Sequence, residues 1–337
     1  MTVIGTAVIG AGILGQVYAR AWAGYHRSRL LWVCDTDRTR ARSLADRHQC
    51  RWTSDAAEIA ADSEVDGVGV ATPDFAHGEA VLMMLDAGKH VMVEKPLATD
   101  TAEAALMVGS AREKGLKLMV DFQNRWNPLF IEAKKSIDSG EFGDFVTGYA
   151  RLSNTYFVPE EMLSWAGRSG PETFLIPHTF DLVRWLTGSE AREVFARAHR
   201  GILESRGIDA FDAVQATVAF EQGGFCTFDS CWIMPRSLPS GIDFKVSLQG
   251  SKGKIEVVGD HQGVTVSGDR HRTPAVLPSE FAFGKEMGFF HEPMLHFADC
   301  VAEDVEPAVT GEDGLAAVEV IAAIHESISA GRPVHLR

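Results

Sequence analysis

At 337 residues the chain is long enough for about two domains, and its 45% apolar and 23% charged content is that of an ordinary globular protein. A net charge of -14, from 46 acidic against 32 basic residues, argues against an unassisted surface for nucleic acid or anionic membrane. The five cysteines, at 34, 50, 226, 231 and 300, show no C-x-x-C spacing and read as reduced thiols. With no leader-like N-terminus and no apolar run of roughly 18 residues, the expected location is cytoplasmic.

The chain opens with a short apolar strand, Thr6-Ala7-Val8-Ile9, that runs into Gly10-Ala11-Gly12-Ile13-Leu14-Gly15 and then into a helical stretch over 16–25. This is G-x-G-x-x-G in its required context. Gly10 permits a tight turn, Gly12 lets the backbone approach a pyrophosphate, and Gly15 lets helix and strand pack closely, with the helix N-terminus attracting the phosphates. A second strand, 30–34, ends on Asp35, which lies 35 − 15 = 20 residues beyond the last glycine. That is the spacing of the carboxylate that hydrogen-bonds a ribose 2′-hydroxyl. The pattern predicts dinucleotide binding through Gly10, Ala11, Gly12, Ile13, Leu14, Asp35 and Thr36. Asp35 would repel a 2′-phosphate and so favours NAD over NADP, although Arg38 and Arg40 stand close enough in sequence to offer a phosphate contact.

Strands and helices then alternate: a strand over 67–71, a helix over 75–87, a strand over 89–93, a helix over 101–114 and a strand over 116–120. Such alternation predicts a doubly wound parallel sheet. Asp100, with Glu103 three residues on, has the form of a capping box. Thr72-Pro73 and Glu94-Lys95-Pro96 both fall at strand carboxyl ends, where ligands bind in open α/β sheets. Thr72, Pro73, His77, Glu94 and Lys95 therefore join the candidate cofactor contacts, and Lys95 is a candidate proton handler. A solvated strand-end lysine and a helix-capping histidine are the plainer alternatives for Lys95 and His77.

The glycine loop, Ala71-Thr72-Pro73 with His77, and Gly88-Lys89-His90-Val91-Met92-Val93-Glu94-Lys95-Pro96-Leu97-Ala98 together resemble the glucose-fructose oxidoreductase, inositol dehydrogenase and MocA family. The similarity runs on to Thr310-Gly311-Glu312-Asp313-Gly314 and the helix to Ile328. The resemblance implies an α/β protein with an N-terminal Rossmann domain over 1–122. It further implies a substrate-binding and oligomerisation α/β domain over 123–337, built on a large open, mainly antiparallel sheet, with the C-terminal helix packing back on the first domain. NAD(P)-dependent oxidation or reduction of a sugar or polyol is the implied activity, and a homodimer or homotetramer through the C-terminal sheet the implied assembly. In such enzymes the lysine matching Lys95 holds and helps deprotonate the reacting hydroxyl.

Beyond the first domain, Gln123 and Asn124 precede a helix started by Pro128; Asn124 is a candidate ligand contact, though caps and turns also use such residues. Arg125 reads as a salt-bridging hinge residue. A strand over 145–152 leads to Arg151, Asn154 and Tyr156, groups suited to hydroxyls, and Trp165 follows in a glycine-bearing loop as a candidate substrate wall or a core residue. The stretch 172–186 resembles the family segment D-x-G-x-H-x-x-D. His178 matches the histidine and Asp181 the second aspartate, whereas Phe174 replaces the first aspartate and Ile176 the glycine. Losing that carboxylate while adding an apolar ring pushes toward a lower lysine pKa and leaves His178 as the proton acceptor. Pro177 is expected in the first turn of its helix, which would leave Phe174 outside it.

Alternating runs over 213–220, 225–233, 244–248 and 254–258 read as antiparallel strands, with hairpin signals at Gln222-Gly223-Gly224 and Gly250-Ser251-Lys252-Gly253. The open face of this sheet is expected to be apolar and to bind further copies. No histidine or cysteine cluster has metal-ligand spacing, so no metal is expected. The leading expectation is an NAD-dependent oxidoreductase acting on a secondary hydroxyl. Two alternatives stand beside it: an enzyme that recycles bound NAD during elimination or epimerisation, and a non-catalytic cofactor-binding sensor.

Overall fold

The computed structural model describes residues 2–268, 271–282 and 285–336. They form two compact units, one of residues 1–123 with 281–318 and one of residues 124–280 with 319–337.

In the first unit six parallel strands carry the fold: β1 (Ile4–Ile9), β2 (Ser28–Cys34), β3 (Arg51–Thr53), β4 (Gly67–Val70), β5 (His90–Glu94) and β6 (Leu118–Asp121). Their order is β3-β2-β1-β4-β5-β6, so the chain reverses direction of growth between β1 and β4. Every residue of β1, β4 and β6 is buried, as a sheet covered on both faces requires. The connecting helices are α1 (Ile13–Gly24), α2 (Arg38–His48), α3 (Ala56–Ala61), α4 (His77–Asp86) and α5 (Thr101–Lys114). Helix α2, strand β3 and helix α3 escape the sequence reading; a three-residue strand shows no periodicity.

Asp100 caps α5 as expected, its Oδ1 accepting the Glu103 N–H at 3.0 Å. Asp100→Ala is expected to lower stability by about 1 kcal/mol, read as a lower urea midpoint at unchanged m-value. A helix over Glu292–Glu303 also belongs to this unit: the indole N–H of Trp22 donates to the Met294 carbonyl at 2.9 Å. The Trp22 ring also lies 6.0 Å from that of Phe297.

The second unit is built on a seven-stranded sheet. Its strands are β7 (Phe145–Asn154), β8 (Ala191–His199), β9 (Ala213–Phe220), β10 (Phe225–Cys231), β11 (Ile242–Gly250), β12 (Lys254–Val258) and, from the C-terminus, β13 (Val334–His335). The order β12-β11-β7-β10-β9-β8-β13 is antiparallel throughout except for the parallel pair of β7 and β10. Both expected hairpins form, β9 to β10 and β11 to β12.

One sheet face is apolar and covered. Helix α6 (Pro128–Asp138) precedes β7, and α7 (Pro171–Thr187) packs on β7, β9 and β10, with Phe180 between the rings of Phe220 and Phe228. The other face differs from expectation. It carries Tyr149, Arg151, Thr217, Thr227, Asp229 and Lys245, with Tyr149 donating to Asp229 at 2.5 Å and Arg151 paired with Asp243 at 2.8 Å. Only its margins expose large apolar groups such as Phe195, Phe225 and Val146. Strand alternation put polar residues there because that face is not the core.

Helix α7 holds a second correction. It starts at Pro171, directly after its N-cap Gly170, and Pro177 sits in its interior. Proline at the first helical position loses no hydrogen bond, so Pro171 serves as the helix start that had been expected of Pro177. Phe174 therefore lies inside the helix.

Candidate active site

The glycine loop of the first unit meets its backbone constraints. Gly10 has φ +97°, and a Cβ there would lie 2.5 Å from the Ala71 carbonyl oxygen, where β1 and β4 diverge. A Cβ on Gly15 would lie 1.7 Å from the Gly10 oxygen. Gly12 is different: among the described residues no atom lies within 4 Å of its Cβ position, so their packing does not explain a glycine there, and open space at the N-terminus of α1 fits a pyrophosphate. Ile13, in the first turn, is 61% exposed, unusual for an isoleucine and apt for covering a ligand.

Asp35 ends β2 with its carboxylate fixed. One oxygen accepts the Ala11 N–H at 2.8 Å, and the other accepts the Asp37 N–H at 2.8 Å and faces Arg40 Nη2 at 3.3 Å. Arg40 also meets Asp37 at 3.3 Å, and Arg38 Nε donates to Ser54 Oγ at 3.3 Å. Both arginines that had been considered for a 2′-phosphate thus have protein partners. Thr36 is exposed beside Asp35, and Leu14 is half-buried.

At the ends of β4 and β5 the chain is tied together by His77. It is 1% exposed, with Nδ1 at 2.8 Å from the Pro96 carbonyl and Nε2 at 3.0 Å from the Thr72 carbonyl. Both ring nitrogens lie within reach of a carbonyl and the neutral ring donates to one of them, so His77 ties the Thr72-Pro73 and Lys95-Pro96 segments together. Burial pushes its pKa down despite the two carbonyls. Thr72 Oγ1 donates to the Ala76 carbonyl at 3.2 Å, closing the turn after β4.

Lys95 is only 8% exposed, not a solvated strand-end lysine, and the Lys95–Pro96 peptide is cis. Burial lowers its pKa, opposed by the negative charges of Glu94, Asp74 and Asp121. Glu94 and Asp121 are directly paired residues at the ends of β5 and β6, and both are buried. Burial raises both carboxyls, Asp121 well above the carboxylate range. Tyr18 of α1, fully buried, donates to Asp121 Oδ2 at 3.1 Å. Tyr18 and Asp121 did not emerge from the sequence, where a helix tyrosine and a strand-end aspartate carry no motif; the sheet order alone brings them beside Glu94.

In the second unit α7 organises the groups. Phe174, His178 and Asp181 are spaced i, i+4 and i+7, so they share one helix face. His178 is buried at 8% exposure. Phe174 is flanked by aromatic rings, Trp165 at 6.1 Å and Trp232 at 5.8 Å, both edge-on. Trp232 is fully buried, and its indole nitrogen has no hydrogen-bond partner.

Asp181 had been expected at the substrate. Its carboxylate instead takes a fork from Arg125, Nε at 2.9 Å and Nη2 at 2.5 Å, with both side chains buried. Arg125 is thus the salt-bridging residue expected, although its partner was not foreseen. Arg151 is also corrected: it lies on the open sheet face, opposite Ala150 and Leu152, which face α7, and pairs with Asp243. Asn154, two residues beyond Leu152, is on the α7 side, buried, with Oδ1 lacking a hydrogen-bond partner. Asn124 is buried in a short 3-10 turn and its carbonyl accepts the Asn127 N–H at 3.1 Å. Among the described residues no group of three or more His, Cys, Asp or Glu could hold a metal, and no helix is long and apolar enough to cross a membrane.

Residues 4–122 match the model of an oxidoreductase family with an NAD-binding Rossmann fold, and residues 134–336 match the C-terminal α/β domain of the same family. The scyllo-inositol 2-dehydrogenase (NAD(+)) of Bacillus subtilis (strain 168) is 28% identical over 98% of this chain and 95% of its own. The inositol 2-dehydrogenase of Rhizobium meliloti (strain 1021) is 27% identical over 98% of each chain. Among solved structures, GenD2 from gentamicin A biosynthesis in complex with NAD superposes with a TM-score of 0.89 at 25% identity, covering 100% of this chain and 97% of that one.

Proposed function

The chain belongs to the glucose-fructose oxidoreductase, inositol dehydrogenase and MocA family of NAD-binding oxidoreductases, and from that premise we propose that it oxidises a secondary hydroxyl of a cyclitol or related sugar with NAD. The observation that carries the reading is Lys95, a buried amine at the carboxyl end of β5, two strands from β1, whose glycine loop leaves room for a pyrophosphate. The inositol dehydrogenases among the relatives support a cyclitol as substrate.

NAD supplies the hydride acceptor when bound. Gly10, Ala11, Gly12, Ile13 and Leu14 would hold its phosphates through backbone N–H groups, and Asp35 with Thr36 would hold the adenosine ribose. Thr72 and Pro73 would line the nicotinamide end, Glu94 would support Lys95, and Lys95 would bind the reacting oxygen. His178 accepts the hydroxyl proton. Asn124, Asn154 and Trp165 contribute to substrate binding, and Asp181 keeps α7 in place through Arg125. Phe174, standing where a carboxylate is expected, offers an apolar wall to the C–H surface of a ring.

Incubation with NAD and a panel of inositols and sugars, followed at the absorbance of reduced nicotinamide, is expected to show turnover with at least one cyclitol. Demonstrated NAD binding without reduction by any member would contradict the reading. The engagement of Arg40 by Asp35 and Asp37 supports NAD over NADP. Asp35→Ser is expected to weaken NAD by at least about tenfold, the loss of one hydrogen bond to a charged group, and to narrow the preference over NADP in a titration of both cofactors. We assign the margins of the seven-stranded sheet, where Phe195, Phe225 and Val146 are exposed, to self-association as a homodimer or homotetramer, and the five free cysteines support a cytoplasmic setting.

A further inference from the structure

We propose that Glu94 and Asp121 hold a single proton between them, and that this pair, carrying one negative charge, is the positioning group that sets the protonation state of Lys95. The inference rests on the reading of Lys95 as the amine that meets the substrate.

The geometry starts from the parallel register of β5 and β6, which makes Glu94 and Asp121 direct neighbours at the two strand ends. Both side chains are buried, at 8% and 2% exposure, and among the described residues neither Glu94 Oε1 nor Asp121 Oδ1 has a hydrogen-bond partner. Two carboxylates cannot hydrogen-bond each other, because both are acceptors only. A proton on one of them supplies a bond to the other, whereas two like charges buried side by side are strongly disfavoured. The Tyr18 hydroxyl donates to Asp121 Oδ2 at 3.1 Å, which makes that oxygen an acceptor.

The charged and titratable groups around Lys95 in this unit are Glu94 on its own strand, Asp121 on β6, Asp74 in the turn after β4, His77 at the start of α4 and Tyr18 on α1. His77 is committed to two carbonyls, and Tyr18 is a donor whose own ionisation is pushed far up by burial. The pair of carboxyls is thus a compact source of charge next to the amine. A single shared proton gives it one negative charge over a broad pH range, enough to offset part of the burial that would otherwise neutralise Lys95.

Glu94→Gln, Asp121→Asn and the double variant separate these statements. Each single variant keeps one carboxyl, which ionises and preserves the net charge while removing the shared proton; the double variant removes the charge. In infrared difference spectra at neutral pH, wild type minus either single variant is expected to show the carbonyl band of one protonated carboxylic acid. Absence of that band from both differences overturns the shared proton, whether or not any substrate is ever found. In kcat/KM against pH, the double variant is expected to move the lysine-dependent limb at least one unit lower, with both singles within half a unit of wild type. Equal shifts in singles and double mean that the carboxyls ionise separately, and an unmoved limb in all three ends the positioning role. Failure of the dehydrogenase reading itself shows differently, as absent turnover in the wild type with the infrared band present.

Discussion

Lys95→Ala is expected to lower kcat by about 10²–10⁴-fold, the range of a positioned proton-transfer group, while the protein still binds NAD within roughly tenfold of wild type. The amine sits at 8% exposure at the end of β5, so alanine removes both the contact to the reacting oxygen and the charge state that eases its deprotonation. Lys95→Arg is expected to recover little, because a guanidinium presents a wider, planar head in place of a compact ammonium. Stopped-flow reduction of NAD separates the chemical step from binding. A variant with near wild-type kcat would remove Lys95 from the chemistry.

The same residue sets the direction of the pH dependence. Burial holds the Lys95 pKa below the ordinary lysine value of 10.5. On the proposed role the ammonium is the form that holds the oxygen while His178 takes its proton, so activity in the oxidative direction is present below the depressed value and is lost as pH rises through it. The limb of kcat/KM governed by this amine is therefore expected below that of a free lysine, and Lys95→Ala is expected to erase it.

The largest effect on stability is expected from Asp181→Ala. Arg125 and Asp181 form a two-point ion pair with both side chains within a tenth of full burial. Removing one partner leaves the other as an uncompensated buried charge, at a cost of about 3–5 kcal/mol. The double variant Arg125→Met/Asp181→Leu, which removes both charges together, is expected to be much closer to wild type, since a buried pair offsets its own desolvation only in part. Urea unfolding of the three proteins checks this: a single-variant loss below about 1 kcal/mol would place the pair among weakly coupled surface bridges. The result also bears on function, because Asp181 lies one turn from His178 on α7.

Much of the first unit was legible in the sequence because its signals are local. The glycine loop, the carboxylate 20 residues on and the strand-end Glu94-Lys95-Pro96 are short motifs whose context is set by the same few residues. What the sequence left out was pairing. Glu94 was singled out, yet its partners Asp121 and Tyr18 come from β6 and α1 and are joined only by sheet order and helix packing. His77 was visible as a helix-start histidine, but its two carbonyl partners depend on the turns after β4 and β5.

The second unit shows the same division. Strand periodicity found β9 with both ends correct, whereas it could not say which face of β7 would be covered, and so did not show that Arg151 lies on the open one beside Asp243. On α7 two prolines competed for the helix start; Pro171, after a glycine, took it, and Phe174 came onto the same face as His178.

The central claim is hydride transfer from a carbinol carbon to the cofactor, with the product released as a ketone. It is tested most directly with a cyclitol deuterated at its carbinol carbons and the NAD recovered after turnover, weighed by mass spectrometry. The account predicts one deuterium in the reduced nicotinamide for each ketone formed. Deuterium returned to the product with no net reduced cofactor would contradict it and identify an enzyme that recycles its NAD.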